Sequence, residues 1–207
     1  MIVRAAVAVA HARRGSHPCG DGARGYSRAS GSALATYARV HHRRPPRLPA
    51  SEYIGPVRIF FTMNTFRRNR HFTTNDVVGP ARDQLLRTGN ECAVETAAYC
   101  FMPDHLHALL IGLETLSNVG TCADRFKRRA GLDFRRVDGG RLWQEGHFDR
   151  SLRSSEATID VVAYILNNPV RAGLCQSPGE YPFSGSSRYS VEDIVDAMQW
   201  RPDAIEW

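Results

Sequence analysis

Two histidines two residues apart, His105 and His107, stand at the head of the apolar run Ala108-Leu109-Leu110-Ile111. If that run is a strand, alternation points both imidazoles to one face and turns Leu106 into the core. Their Cα atoms then lie roughly 6–7 Å apart, within joint reach of one metal ion. Farther along, Tyr164 and Asn168 are four residues apart, one helical turn, and share a face. If that helix packs over the histidines, Asn168 offers a third, oxygen ligand and the Tyr164 hydroxyl stands beside the ion. A cation that polarises a phosphodiester and a phenol that attacks phosphorus together make a phosphoryl-transfer site. Two imidazoles with carbonyl, water and phosphate oxygens suit Mg²⁺ or Mn²⁺, while imidazole alone also suits Zn²⁺. Spacing by itself favours a histidine pair without a ligand; the rest of the chain tips the balance.

The elements that must position these groups read β-α-β-β-α-(β)-α. Arg58 to Phe66 alternates, with Ile59, Phe61 and Met63 on one face and Phe60, Thr62 and Asn64 on the other. Thr74-Asn75-Asp76 signals a helix start, and Val77, Val78, Ala81, Leu85 and Leu86 form its stripe up to Gly89. Ala93 to Phe101 and His105 to Gly112 are the second and third strands, joined at Pro103-Asp104. A helix from about Ser117 to Ala130 buries Val119, Cys122, Phe126 and Ala130 and turns Arg125, Lys127, Arg128 and Arg129 outward. Leu132 to Asp149 reads as a polar loop and Leu152-Arg153 as a short strand. Ser154-Ser155-Glu156 opens a last main helix with Ile159, Val162 and Leu166 inside, which Pro169 stops after Asn168. The expected fold is α+β, a ferredoxin-like antiparallel sheet with helices packed on one face.

Composition narrows the class. A chain of 207 residues, 43% hydrophobic and 23% charged, has the balance of an ordinary globular domain. No apolar run approaches the ~20 residues of a membrane helix. Five cysteines, odd in number and without a CxxC pair, argue against a disulfide framework or zinc knuckle and for a reducing compartment. Cys92 and Cys100 read as small core hydrophobes. The net charge of +6 is uneven: residues 1–55 hold nine arginines against Asp21 and Glu52, which leaves the remainder at −1. That aperiodic segment, rich in Arg, Ala, Gly, Ser and Pro, reads as a disordered extension over residues 1–54. The domain spans 55–190, and 191–207 form a short acidic extension packed through Ile194, Val195 and Met198.

Seven tyrosines compete for the nucleophile's role. Tyr26 and Tyr37 lie in the aperiodic segment, and Tyr53 borders it. Tyr99 sits on a strand and packs. Tyr181 and Tyr189 fall in a Pro/Ser-rich stretch with no polar partner at a fixed spacing. Only Tyr164 has a metal-type ligand one turn away.

The run Tyr99-Cys100-Phe101-Met102-Pro103-Asp104-His105-Leu106-His107 resembles the HUH motif of single-strand DNA transposases, with Leu106 as the hydrophobic residue. More narrowly, the chain resembles the REP-associated tyrosine transposases. Phe61-Thr62-Met63-Asn64-Thr65, Phe126-Lys127, Leu142-Trp143-Gln144, Phe148 to Arg153, Tyr164 to Leu174 and Tyr181 to Ser186 stand in that family's order. Gly185 departs from it, where a serine is common. The resemblance covers about residues 55–190 and implies a metal-dependent nuclease and strand transferase. Its substrate is single-stranded DNA beside a hairpin, cut and rejoined through a 5′-phosphotyrosine. By position, His105, His107 and Asn168 are the ligands of Mg²⁺ or Mn²⁺, and Tyr164 is the nucleophile. The cations expected on DNA are Arg67, Arg68 and Arg70 at the first strand's end, Lys127 and Arg128 on the basic helix, and Arg150 and Arg171 within the matching motifs. A cytoplasmic, nucleoid-associated monomer or homodimer follows from the same resemblance.

Three other readings compete: a hairpin-binding protein that has lost catalysis, a Zn²⁺ hydrolase, and a metal-free α+β binding domain. Intact His105, His107 and Tyr164 weigh against the first. The second needs a third strong ligand and a base, and Asp104, the nearest acid, would face away on a strand.

Overall fold

The computed structural model describes residues 47–152 and 155–197. Its elements, in chain order, are β1 (Arg58–Asn64), α1 (Asn75–Glu91), β2 (Val94–Met102), β3 (His105–Gly112), α2 (Val119–Asp138), β4 (Phe148–Ser151), α3 (Ser155–Arg171), β5 (Ser184–Gly185) and α4 (Val191–Ala197). All strand pairs are antiparallel, in the order β4-β1-β3-β2-β5. The central β1-β3-β2 block is apolar on both faces: every residue of β2 is buried, as are five consecutive residues of β3.

The expected α+β antiparallel architecture is present, but helices cover both faces of the sheet. Ile59, Phe61, Met63, Leu106, Ala108 and Leu110 pack with α1 and α2 in one core. Ala98, Cys100, Met102 and Leu109 pack with Val162, Ile165 and Leu166 of α3 in a second. The helices-on-one-face expectation therefore holds for α1 and α2 only. The cause lies in β1 and β3, where the alternate positions Phe60 and Leu109 are also apolar and require cover. Each fully buried side chain of this size contributes about 1.5–3 kcal/mol.

Three boundaries differ from the sequence expectation, each for a local reason. α2 runs through Gly131 to Asp138 because Phe134 continues the Cys122-Phe126-Ala130 stripe, and Gly139 ends it at φ 75°. Asn118 caps its start, accepting from the Thr121 amide at 2.9 Å. The fourth strand is Phe148–Ser151, not Leu152-Arg153, and pairs with Ile59 to Thr62 of β1. α3 continues through Pro169 to Arg171. The Leu174 amide bonds the Pro169 carbonyl at 2.9 Å, and Gly173 at φ 68° ends the helix.

The folded unit also begins upstream of Ile54. Leu48 packs on the first core, and the buried Tyr53 donates its hydroxyl hydrogen bond to Asp149 on β4. The extension expected over 1–54 is therefore ordered at least from residue 47, and residues 1–46 lie outside the described residues. Ser154, expected to open α3, and Met198, expected to pack at the chain's end, also lie outside them, whereas Ile194 is buried as expected. Cys92, Cys100, Cys122 and Cys175 are free thiols.

Candidate active site

Register places the histidines. Thr62 pairs with His107 and Asn64 with His105 across β1 and β3, while β2 sets Cys100 and Met102 beside them. Both imidazoles project from the face that α3 covers, and Leu106 is buried on the other. Their Nε2 atoms face each other at 3.1 Å. Each ring is held at its far nitrogen. His105 Nδ1–H donates to Asp104 Oδ1 at 2.6 Å, and His107 Nδ1 shares a hydrogen bond with the Thr62 hydroxyl at 3.0 Å. A carboxylate only accepts, so His105 carries its proton on Nδ1 and presents its Nε2 lone pair toward His107.

Burial lowers the His105 pKa, against the opposing pull of Asp104. Burial, with smaller contributions from His105 and Arg68, carries His107 well below the ordinary range. Both rings are neutral near pH 7, the form that ligates metals. Two nitrogens on neighbouring positions of one ion would sit roughly 2.8–3.4 Å apart, so the observed spacing suits a shared cation. Among the described residues, no cluster of three or more His, Cys, Asp or Glu is arranged to hold an ion. The remaining ligands would be amide, hydroxyl, water or phosphate oxygens, a shell suited to a harder cation than zinc. The third strong ligand that a zinc hydrolase needs is missing among these residues.

α3 delivers the tyrosine. The Tyr164 ring centroid lies 5.5 Å from that of His107 and 6.0 Å from that of Phe60, which stacks on His107 at 5.4 Å. The Arg171 guanidinium, two turns on, sits 5.5 Å from the Tyr164 centroid. Asn168 is more constrained than its spacing suggests. Its Nδ2 donates to the Tyr164 carbonyl at 2.7 Å. Pro169 has no N–H for the Ile165 carbonyl four residues back and crowds that turn; the Asn168 side chain bonds one carbonyl earlier, at Tyr164. Only Asn168 Oδ1 is left to approach a cation.

Other tyrosines are engaged elsewhere. Tyr181 has a polar partner after all, donating to the Phe101 carbonyl at 2.9 Å. Tyr53 is tied to Asp149, and Tyr99 is buried between Phe101 and Gly185. Burial raises the pKa of all three phenols, which keeps their protons on.

Asp104 does not face away. It lies in the turn before β3, where one carboxylate oxygen takes His105 and the other accepts from Arg68 Nε at 2.8 Å. Arg68 also donates to Asn64 at 2.6 Å, so this expected DNA cation belongs to the support of His105. Arg67 and Arg68 have φ of 56° and 59°, a left-handed pair costly for side chains of this kind. Lys127, also expected on DNA, folds inward. Its ammonium donates to the Gln144 carbonyl at 3.1 Å and to the Gly146 carbonyl, near the Trp143 ring. Desolvation brings its pKa down to about 8. Arg150 pairs with Phe60 and so shares the histidine face, while Arg70 and Arg128 are exposed. Sequence reasoning missed Phe60, Thr62 and Asp104 as supports. The β1 alternation placed Phe60 and Thr62 on the right face, but cross-strand register was needed to see their partner.

No family model matches the chain. It is 25% identical over 140 residues to a Haemophilus influenzae protein provisionally named a REP-associated tyrosine transposase, across 62% of this chain and 79% of that one. A solved structure of a REP-associated tyrosine transposase bound to a REP hairpin superposes with a TM-score of 0.58. That match has 22% identity and covers 82% of this chain and 95% of the other. The chain is thus similar in sequence to a protein named for the REP-associated tyrosine transposases and similar in fold to a solved one.

Proposed function

We propose that this chain is a transposase-type single-strand DNA endonuclease and strand transferase with Tyr164 as nucleophile. The observation that carries the reading is the Tyr164 ring packed against His107, whose Nε2 converges with that of His105. His105, His107 and the Asn168 oxygen would hold a divalent cation, Mg²⁺ or Mn²⁺. When bound, such an ion neutralises charge on the phosphodiester. Asp104 and Thr62 hold the two imidazoles at their far nitrogens, which orients the ligand nitrogens toward one another. Phe60, His107 and Arg171 fix the phenol. Tyr164 Oη attacks phosphorus, the bond to the 3′ oxygen breaks, the phenol gives up its proton and the departing oxygen takes one up. The product is a 5′-phosphotyrosine and a free 3′-hydroxyl that can attack in reverse to rejoin strands. The hairpin bound by the structural relative supports hairpin DNA as the partner here.

The test is denaturing electrophoresis of labelled, hairpin-flanked single-stranded DNA with Mn²⁺. The wild type should give a slow-migrating covalent species, and Tyr164→Phe should give none while still binding the hairpin. An adduct that persists in the variant, or that maps to another tyrosine, removes Tyr164. No adduct from the wild type, with hairpin binding intact, would favour a catalytically silent binding protein.

A further inference from the structure

We propose that an open groove between the second half of α2 and the segment after it is the track for the single strand leading to the scissile phosphate. The proposal rests on the function above but is tested apart from it. The groove, of about 330 Å³, is lined by Arg128, Leu132, Arg135, Arg141 and Trp143, with Glu145 as its acidic member. That volume accommodates a nucleotide unit and no duplex.

The charges in it are of two kinds. Arg125 and Arg129 reach Glu91, and Arg136 reaches Asp133, so those cations are balanced within the protein. Arg128 and Arg135 lie two turns apart on one exposed face of α2 and form no ion pair among the described residues. Arg141 faces them from the opposite wall, its Nε bonded to the Trp143 carbonyl at 2.9 Å. Three arginine charges thus converge on one groove with a partly apolar floor, where Leu132 is 47% exposed. Cations over an apolar floor fit a phosphodiester strand with unstacked bases.

The groove also leads to the histidines. The Phe66 amide bonds the Leu142 carbonyl and the Gln144 amide bonds the Asn64 carbonyl, both at 2.8 Å. Asn64 is the β1 partner of His105. Between the groove and the histidines stands Phe66, with Arg141 5.2 Å and Arg67 5.1 Å from its ring centroid. Arg67 is exposed and its amide is fixed by the Gln144 side chain at 3.3 Å. A strand lying on Arg135 and Arg128 and crossing Arg141 and Arg67 arrives beside His105. Lys127 is not part of this track; it buttresses the groove wall from behind through the Gln144 and Gly146 carbonyls.

The experiment is fluorescence anisotropy on the full chain across a salt series. It uses a DNA hairpin with a short mixed-sequence single-stranded flank and the same hairpin without the flank. Arg128→Ala/Arg135→Ala should weaken binding of the flanked hairpin on the order of tenfold or more at low salt. Its log–log salt slope should shrink by about 1.4, near 0.7 for each single-strand phosphate that one of the two arginines neutralises. Binding of the blunt hairpin should stay unchanged, and Arg136→Ala, outside the groove, should match wild type on both. An unchanged flanked hairpin, or equal losses on both DNAs, overturns the proposal. Covalent adduct formation at saturating DNA is read in parallel: a chain that forms no adduct yet shows the flank-specific loss refutes the proposed function and leaves the track standing.

Discussion

The Asp104–His105 hydrogen bond sets a quantitative expectation. Asp104 accepts from His105 Nδ1–H at 2.6 Å and from Arg68 at 2.8 Å, with its side chain only 25% exposed. Asp104→Ala takes away the acceptor that fixes the His105 ring and its tautomer, and it leaves the Arg68 guanidinium beside the imidazole with no counter-charge. Asp104 raises the His105 pKa and Arg68 lowers it. Removing the carboxylate should therefore move the His105 titration to lower pH, observable by NMR of the labelled imidazole. Loss of a partner that orients a metal-binding histidine weakens affinity about 10–100-fold. We expect Mn²⁺ titration calorimetry to show a loss in that range for Asp104→Ala and a smaller one for Asp104→Asn, whose amide oxygen still accepts. The fold should be intact, because Asp104 lies in a turn outside both cores. Wild-type Mn²⁺ affinity in the Ala variant, or a His105 titration that moves up, would refute the reasoning.

Two further outcomes concern buried polar groups. Tyr53→Phe removes the phenol that donates to buried Asp149 and should lower unfolding free energy by about 1–3 kcal/mol in urea, with an unchanged midpoint counting against the Tyr53 anchor. Lys127 has its pKa lowered by desolvation to about 8 from 10.5. The unfolded chain then binds more protons between those values, so stability should rise as pH climbs through that window. Lys127→Met should lose that rise, measured as the wild-type-minus-variant difference in urea midpoint at about pH 7 and about pH 9.5; a parallel pH dependence in the two proteins contradicts the shift.

The histidine pair was legible because alternation is a strict rule of strands, and β3 begins at His105 as its sequence reads. The β1 faces were legible for the same reason. β4 was not, because Phe148-Asp149-Arg150-Ser151 puts a carboxylate on the inner face. Asp149 is tolerated there only because Tyr53 donates to it and His147 lies 3.5 Å away, partners ninety-six and two residues distant in sequence. The helix expected to stop at Ala130 continues through Gly131, where a Cβ would make an ordinary 3.4 Å contact with the Trp143 ring, so this glycine marks neither a helix end nor a close approach. Gly185, where a serine was expected from the resemblance, does mark a close approach: a Cβ there would fall 2.6 Å from the Tyr99 hydroxyl. Glycine marks close approach as readily as it marks a turn, and only packing tells the two apart.

The cations expected on DNA show the same limit from the side of charge. A lone arginine or lysine in a sequence carries no sign of whether its charge is already answered. Arg68 is answered by Asp104, and Lys127 by two carbonyls. Arg128 on the adjoining face, and Arg135 and Arg141 beyond it, have no acidic partner among the described residues. On α2 the engaged Arg125, Lys127, Arg129 and Arg136 are interspersed with Arg128 and Arg135, which hydropathy cannot resolve. The division has a physical logic around the histidines. Cations that must hold protein geometry are balanced and partly buried, where an unpaired charge would be costly. Those proposed to meet a polyanion are exposed and hydrated, and counterion release would favour its binding. Arg171 bridges the two roles, stacked on the Tyr164 ring yet on the last turn of α3. Its charge stands over the ring of the phenol proposed to carry the phosphate, while Asn168, three residues earlier, donates to the Tyr164 carbonyl and ties its side chain to that turn. The end of α3 is thus held in register at the point where its proposed chemistry requires a fixed phenol.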